Sequence, residues 1–294
     1  MKTIVKICGL LLLFGLMNGC IRDDRGKCPP GTGAALLLRY YGDGDRDIFR
    51  DKIGEVTLYI YDNTDGHLVE TTILSDNQLR NQEIEIDLPS GDYHAVAWGN
   101  FYQETEAEGT DSLSTGIIGL RDYFTRDVVR TSDSLYFGKL NFIVPHGEAV
   151  NDTVFFSSAH INMVLGLEDL RDEAITEGVS PVSFRLTGLS PMADFDGRVS
   201  DVKTSYFPTT APEGDDFVAR FNTLRFGDVN DIMIDLFYDE ADEPMFTLDL
   251  ADYMSGHDIT VEGINEITIG IRFIFTGHSV RVENWVENEI TPGI

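Results

Sequence analysis

Apolar and polar residues alternate with a period of two along most of the chain from Ala34 onward. The clearest case is Glu83–Leu88, where acidic and aliphatic residues take turns without an error. Such alternation is typical of a strand with one solvated and one buried face. The residues 56–60 and 267–275 show it too, and no stretch longer than about 12 residues keeps the helical period. The pattern predicts an all-β protein of antiparallel sheets.

Turn-forming residues divide this pattern into two halves. Pro145-His146-Gly147 and the polar residues that follow interrupt the strands near residue 150. The length suits two ordinary domains, so we expect two antiparallel β-sandwich domains in tandem, over residues 34–150 and 151–294. Residues 100–133 lack the alternation and are rich in acids, which predicts a long surface loop with at most a short helix.

The first residues have the pattern of a secretory signal peptide. Lys2 and Lys6 precede an apolar run over 7–17, and the small residue Gly19 stands directly before Cys20. The run is about half of the roughly 20 residues that a membrane-spanning helix needs. This order resembles a bacterial lipobox, which implies cleavage between Gly19 and Cys20 and a signal peptide over residues 1–19.

In lipoproteins with such a motif, the cysteine carries an S-linked diacylglycerol and an N-linked acyl chain, and Cys20 is the matching residue. Two or more chains give stable membrane anchoring. Residues 20–33 would then form a lipidated tether to the outer-membrane lipid. The alternative is an ordinary secretory signal followed by an incidental cysteine.

Charge and cysteine content narrow the classes of function. The sequence holds 22 basic and 50 acidic side chains, for a formal charge of −28. Such a chain repels phosphate backbones, which excludes nucleic acid as a partner and excludes polybasic membrane attachment. With Cys8 removed and Cys20 acylated, Cys28 has no partner within the chain, so we expect no disulfide and an inert thiol.

Motifs for chemistry are weak. Asp43, Asp45 and Asp47 have the spacing of the first three ligands of a calcium loop, but Ile48 and Gly54 stand where that loop needs glycine and glutamate. A solvated acidic turn is the preferred interpretation. The chain also lacks the sequence motifs of zinc sites, nucleophile elbows and phosphate-binding loops. We therefore predict no catalytic, cofactor or metal site.

Aromatic residues and short hydroxyl motifs leave two further hypotheses. Trp98 and Trp285 lie in strand patterns, which favours packing over a sugar-stacking role. A ligand-binding protein would instead use the loop 100–133, with Phe101 and Tyr102 as its aromatic contacts. Three residues follow an aspartate and precede an aliphatic residue, which resembles an O-glycosylation site of Bacteroidetes; they are Ser112, Ser134 and Thr153.

Several motifs, in this order, resemble the FimB-type fimbrial anchor lipoproteins of Bacteroidetes, within the fimbrillin-like superfamily. The match is strongest over residues 20–100. After Cys20 and Asp23-Asp24, the motifs are Cys28-Pro29-Pro30-Gly31, Val56–Asp62, Leu88–Tyr93, Ala95–Gly99, Tyr136–Leu140 and Asn284-Trp285-Val286.

The resemblance implies two transthyretin-like sandwiches, no catalytic residues, and a surface-exposed position on the outer membrane at the base of a fimbria. There the protein would hold the fimbria and limit its length. Fimbrial stalk subunits would be its partners, joined when a strand of one chain completes the sheet of the next. Asp23-Asp24 resembles the acidic signal that directs such lipoproteins to the outer face of the membrane.

Three alternatives stay open at this point. An accessory or tip subunit of a fimbria would share the fold, and so would a surface lipoprotein that binds glycan or another ligand. A secreted hydrolase is the least supported class, because convergent acid and base residues cannot be identified in the sequence.

Overall fold

The predicted all-β class is confirmed. The structure, a computed structural model, describes residues 33–170, 179–239, 241–276 and 279–285. Within these residues the helices are α1 (Phe49–Lys52), α2 (Asp76–Asn81), α3 (Arg121–Thr125) and α4 (Leu250–Gly256). In chain order the strands are β1 (Gly33–Arg39), β2 (Val56–Asp62), β3 (Leu68–Ile73), β4 (Glu83–Ile86), β5 (Gly91–Gly99), β6 (Thr105–Glu108), β7 (Ile117–Leu120), β8 (Tyr136–Val144), β9 (Ala149–Ser158), β10 (His160–Glu168), β11 (Val182–Leu189), β12 (Met192–Asp194), β13 (Thr204–Tyr206), β14 (Thr210–Glu213), β15 (Asp216–Leu224), β16 (Met233–Tyr238), β17 (Phe246–Asp249), β18 (Thr268–Thr276) and β19 (Ser279–Asn284).

The N-terminal unit is a seven-stranded sheet of order β3-β2-β5-β8-β9-β1-β4. Neighbouring strands are antiparallel except β1 and β9, which run parallel over seven residue pairs. Leu36, Leu58, Ala97 and Val154 come from four different strands and lie in one buried cluster. Contact between such distant strands requires the sheet to fold over on itself, which gives a sandwich around that core.

The C-terminal unit is a sandwich of a five-stranded sheet, β14-β15-β10-β18-β19, and a four-stranded sheet, β13-β11-β16-β17. The predicted apolar faces over 161–167 and 267–275 are confirmed, because their alternate residues meet in one core. Phe273 of β18 packs against Phe184 of β11 across that core, with ring centroids 5.6 Å apart. The strands β10 and β18 form the parallel pair of this unit.

The chain passes from one unit to the other at Ala159, later than the expected boundary at residue 150. Pro145-His146-Gly147 belongs to the turn between β8 and β9, and β9 continues to Ser158 while paired with β1 and β8. The turn residues therefore mark a hairpin within the first sheet. The next strand, β10, begins at His160 in a different sheet, so the connection is one residue long.

The segment 100–133 is not the long surface loop that its composition predicted. It contains β6, β7 and α3, and β7 pairs with β6 on one side and with β12 on the other. Because β12 follows β11 of the C-terminal unit, this three-stranded sheet connects the two units. Alternation is hard to see in strands of three or four residues, which is why the sequence pattern did not reveal them.

Candidate functional site

The predicted lipidation site lies outside the described residues, as do the cleavage position at Gly19, the residue Cys20 and the tether up to residue 32. The described chain begins with Gly33, the first residue of β1. A Cβ atom there would clash with the carbonyl oxygen of Ile86, so glycine is needed where the tether enters the sheet. Among the described residues, no helix combines the length and the apolar character needed to cross a membrane.

The acidic turn 43–47 makes structural hydrogen bonds. Asp43 accepts bonds from the backbone N–H of Asn265 at 2.7 Å and of Glu266 at 2.8 Å. Asp47 accepts bonds from the Phe49 N–H at 3.0 Å and from the Gln82 amide at 2.8 Å. Burial raises the pKa of Asp43, but these backbone N–H groups outweigh it and lower that pKa overall.

The carboxylates of this turn therefore serve different partners. Asp43 binds a loop of the C-terminal unit, Asp47 binds its own turn and Gln82, and Asp45 is exposed. The part of the chain that the structure describes contains no group of three or more side chains placed to hold a metal ion.

Glu266 is the centre of a polar contact between the units. Its carboxylate accepts hydrogen bonds from the Tyr40 hydroxyl at 2.5 Å, the Tyr136 hydroxyl at 3.1 Å and the Lys52 ammonium at 2.5 Å. Burial alone would raise the pKa of Glu266, but the bonds from Lys52 and Tyr40 hold that pKa below its ordinary value. We call Glu266 with these three partners the junction cluster.

The loop that carries Glu266 is held in place by Arg225. The guanidinium donates to the carbonyl oxygens of Val261 at 2.6 Å and of Ile264. It also reaches the carbonyl oxygen of Asn265 at 3.3 Å. Burial lowers the pKa of Arg225 overall, and the nearby Tyr40, Asp43 and Glu266 groups offset only part of this effect. The cation thus closes the loop that brings Glu266 to the N-terminal unit.

His160 lies directly after the one-residue connection. The ring is buried, its Nδ1 is 2.9 Å from the carbonyl oxygen of Leu135, and it packs edge-on against Tyr136 at 5.3 Å. Burial lowers the pKa of His160, although the bond to Leu135 acts in the opposite direction. The neutral imidazole is therefore the form that this junction stabilises.

An apolar cluster completes the junction. Phe195, which follows β12, packs against Tyr59 at 5.0 Å and against Trp98 at 6.3 Å, both on the outer face of the N-terminal sheet. Lys139 and Asp196 form an ion pair at 3.1 Å beside it. Trp98 is 1% exposed, so its predicted packing role is confirmed.

Trp285 is also a packing residue, as predicted, at the end of β19. It covers the outer face of the five-stranded sheet, where Gly166 leaves room for its ring and Gly270 leaves room for its backbone. Arg272 and Arg220 lie over the ring, with the guanidinium carbons 4.8 Å and 5.9 Å from its centroid. Both tryptophans are therefore engaged within the protein.

The aromatic pair of the predicted ligand-binding loop is divided between two roles. Phe101 packs against the apolar cluster around Phe195. Tyr102 is 48% exposed, and its hydroxyl donates to the Asn100 side chain at 3.0 Å. The turn is fixed by Asp133, whose Oδ2 accepts bonds from the Tyr102 and Thr105 N–H groups at 3.1 Å. Only one of the two rings is presented to solvent.

A small cavity adjoins the junction. Its volume is about 230 Å³, and Trp98, Phe137, Leu224, Arg225 and Asn265 are among the residues that line it. The indole N–H of Trp98 has no hydrogen-bond partner within the described chain. The cavity lies between the two units.

The three candidate modification residues occupy different settings. Ser112 lies in the β6–β7 turn with its hydroxyl 3.1 Å from that of Ser114. Ser134 is half-buried beside Asn100, and Thr153 pairs with Leu37 along β9 and β1. Their modification stays a prediction.

Two sandwiches joined by a shared sheet, the junction cluster and an apolar contact define an all-β protein of two packed units. A family model described as "Mfa2: Fimbrillin-A associated anchor proteins Mfa1 and Mfa2" matches residues 25–291. The chain belongs to this family, which confirms the predicted relationship to fimbrial anchor proteins.

Solved structures share the fold. The fimbrial anchor protein Mfa2 from Porphyromonas gingivalis is 15% identical, with a TM-score of 0.66, and the match covers 86% of this chain and 97% of that one. A candidate polysaccharide-binding protein from Bacteroides thetaiotaomicron is 16% identical, with a TM-score of 0.69 and coverage of 87% and 99%. A candidate adhesin from Bacteroides ovatus is 15% identical, with a TM-score of 0.66 and coverage of 88% and 98%. The comparison with curated proteins finds no match.

Proposed function

We propose that this protein is an outer-membrane lipoprotein that anchors a fimbria to the cell surface and limits its length. The observation that carries the proposal is membership of the fimbrillin-associated anchor family over residues 25–291. That membership makes the chain a fimbria-associated structural protein. The role at the base, the lipid and the mode of joining are the steps that we add.

The lipid on Cys20 is the proposed attachment. Its acyl chains would enter the outer membrane, and Asp23-Asp24 would direct the protein to the outer face. The tether then enters the fold at Gly33, where β1 is paired on both sides, with β9 and with β4. Because both edges of β1 are paired, a pull on the tether would be resisted by two ladders of hydrogen bonds.

Fimbrial stalk subunits are the proposed partners. Sheets with free edges can accept an extended segment of another chain, so that backbone hydrogen bonds supply affinity. A subunit held in the membrane by lipid cannot move outward with the growing fimbria. Addition of further subunits would therefore stop at the end of the fimbria that the anchored protein occupies. We infer a binding role without catalysis, in keeping with a family of anchor proteins.

Immunogold microscopy of cells that produce the wild type or Cys20→Ala tests the proposal, together with counts of bound and shed fimbriae. Cys28→Ala is the matched control, because it removes a nearby thiol outside the lipobox. We expect label at the fimbrial base, and shedding in the Cys20 variant alone. Label at the tip would make the protein an accessory subunit, and no association with fimbriae would favour the ligand-binding lipoprotein.

A further inference from the structure

One outer strand of the N-terminal sheet has an unprotected edge. The strand β3 is the first strand in the order of that sheet, so one of its sides faces no other strand. Val69 is 46% exposed, Ile73 is 67% exposed, and Thr71 between them is exposed as well. We call these three residues the β3 edge.

The backbone groups of this edge point away from the sheet. The N–H of Leu74 donates to the carbonyl oxygen of Val56 at 2.9 Å, which makes this pair a hydrogen-bonded one in the antiparallel ladder. Since such pairs alternate along a ladder, Thr72 bonds to β2, whereas the N–H and C=O groups of Thr71 and Ile73 face outward. Within the described chain no hydrogen bond reaches these outward groups.

Three other outer strands, β4, β14 and β19, carry features that discourage pairing. On β4, the two residues whose N–H groups face outward are Glu83 and Glu85, both exposed. Pro212 interrupts β14, and β19 has an exposed ion pair between Arg281 and Glu283. Charges and proline are common protections of sheet edges. The strand β3 has no lysine, arginine or proline, and its one acid, Glu70, has its backbone groups toward β2, so the outward-facing residues Thr71 and Ile73 carry no charge.

The first residues of β3 are already paired with another segment of the same chain. The N–H of Leu68 donates to the carbonyl oxygen of Asp111 at 3.0 Å, and His67 forms an antiparallel bridge with Ser112. The chain itself thus covers the first residue of the strand and leaves the remainder open. An extended segment of about five residues would be long enough to pair with the rest of the open edge of β3.

Charge indicates the kind of segment that fits. Between Lys52 and Arg80 the sequence has no lysine or arginine, and the acids in this stretch are Glu55, Asp62, Asp65, Glu70 and Asp76. A partner segment with β-branched residues facing Val69 and Ile73, and with lysine or arginine at its ends, would complement this surface. A second copy of this chain, with its charge of −28, would be repelled.

We propose that the β3 edge is the docking site for an extended strand of a fimbrial subunit. That strand has uncharged β-branched residues in its middle and lysine or arginine at its ends. This inference rests on the proposed function and specifies the surface at which the subunit joins. The strand adds beside β3 as an eighth strand, with backbone bonds to Thr71 and Ile73. Side chains of the added strand on the same face of the sheet then pack beside Val69 and Ile73 and cover part of their exposed surface.

Hydrogen exchange measured by mass spectrometry maps the contact on the protein without any substitution. The probe is the stalk subunit purified from the fimbriae of the same cells, added in slight excess to the mature protein. We expect the outward amides of Thr71 and Ile73 to exchange freely in the protein alone and to slow at least tenfold with the subunit, whereas the amide of Thr72, which is bonded to β2, is already protected.

The outcomes separate the two proposals. Protection at any other outer strand with β3 unchanged would overturn the docking site but keep the anchor role. A subunit that binds nowhere and does not co-assemble would overturn the anchor role itself. Protection of β3 without the subunit, together with a dimer in light scattering, would replace the subunit by a second copy.

Proline substitution gives a second test. Thr71→Pro removes an outward N–H group, and Glu85→Pro removes an outward N–H group of β4 as the matched control. We expect the affinity for the stalk subunit to fall at least tenfold with Thr71→Pro and to stay within twofold with Glu85→Pro. Thr71→Val, which retains the N–H group, should also stay within twofold. Equal losses at Thr71 and Glu85 would contradict the assignment.

Discussion

Replacing Glu266 by glutamine tests whether the junction cluster holds the two sandwiches together. The carboxylate accepts from Tyr40 and Lys52 at 2.5 Å and from Tyr136 at 3.1 Å. Hydrogen bonds to a charged group contribute about 1.5–3 kcal/mol each. The Lys52 side chain is 41% exposed, so solvent screening reduces its share to below about 1 kcal/mol. Since glutamine keeps one acceptor, we expect a net loss of about 2–3 kcal/mol.

The assay is urea unfolding at pH 7, followed by tryptophan fluorescence, to which Trp98 in the junction contributes together with Trp285. Asp51→Asn is the control, because it breaks the exposed Arg46–Asp51 ion pair and should cost less than about 0.5 kcal/mol. A loss for Glu266→Gln no larger than that of the control would refute the reasoning.

The pH dependence of the same variant provides an independent check. The pKa of Glu266 is lowered in the folded protein from an ordinary value of 4.5. Its contribution is therefore fully present above that ordinary value and is lost as the pH falls through the lowered one. The gap in stability between the wild type and Glu266→Gln should close on acidification. A gap that persists at acidic pH would show that the loss has another cause.

Four further outcomes are expected. Asp133→Ala leaves the N–H groups of the turn after Asn100 without an acceptor, so the urea midpoint should fall by the equivalent of about 2–4 kcal/mol, whereas an unchanged midpoint would contradict that role. Gly270→Ala places a Cβ against the backbone of Trp285, so the melting temperature should fall and the emission of that tryptophan should shift to the red. Because burial lowers the pKa of His160, the folded state resists its protonation, and stability should decline as the pH falls below about 6.5; His160→Gln should remove that part of the decline. A chelator should leave the melting temperature unchanged, since the carboxylates of Asp43 and Asp47 bind backbone and amide groups.

Strand faces could be predicted because they depend on neighbours within one segment. The alternation at Glu83–Leu88 and over 161–167 reports burial directly, and both segments have the expected buried faces. The class of fold and the packing of Trp98 followed from such local patterns. Family motifs such as Val56–Asp62 then indicated the relationship that the family match confirms.

The junction could not be predicted because its partners are far apart in the chain. Asp43 meets Asn265, more than 200 residues away, and its acidic turn has the composition of a solvated one. The one-residue connection at Ala159 has no compositional signal, whereas the hairpin turn at Pro145 has a strong one. The pairing of β7 with β12 likewise depends on contact between units that no local pattern encodes.

The two proposals place the membrane attachment and the subunit at different strands of one sheet. The tether enters at β1, near one end of the order β3-β2-β5-β8-β9-β1-β4, and the docking edge is β3 at the other end. A pull between them would cross each ladder of that sheet in turn, so the N-terminal sandwich would carry the tension. The C-terminal unit covers Tyr59 and Trp98 on the middle strands of this sheet through Phe195. If the protein anchors a fimbria as proposed, the C-terminal unit would stiffen the sheet through the junction, and Glu266 and its partners would then contribute to mechanical strength as well as to stability.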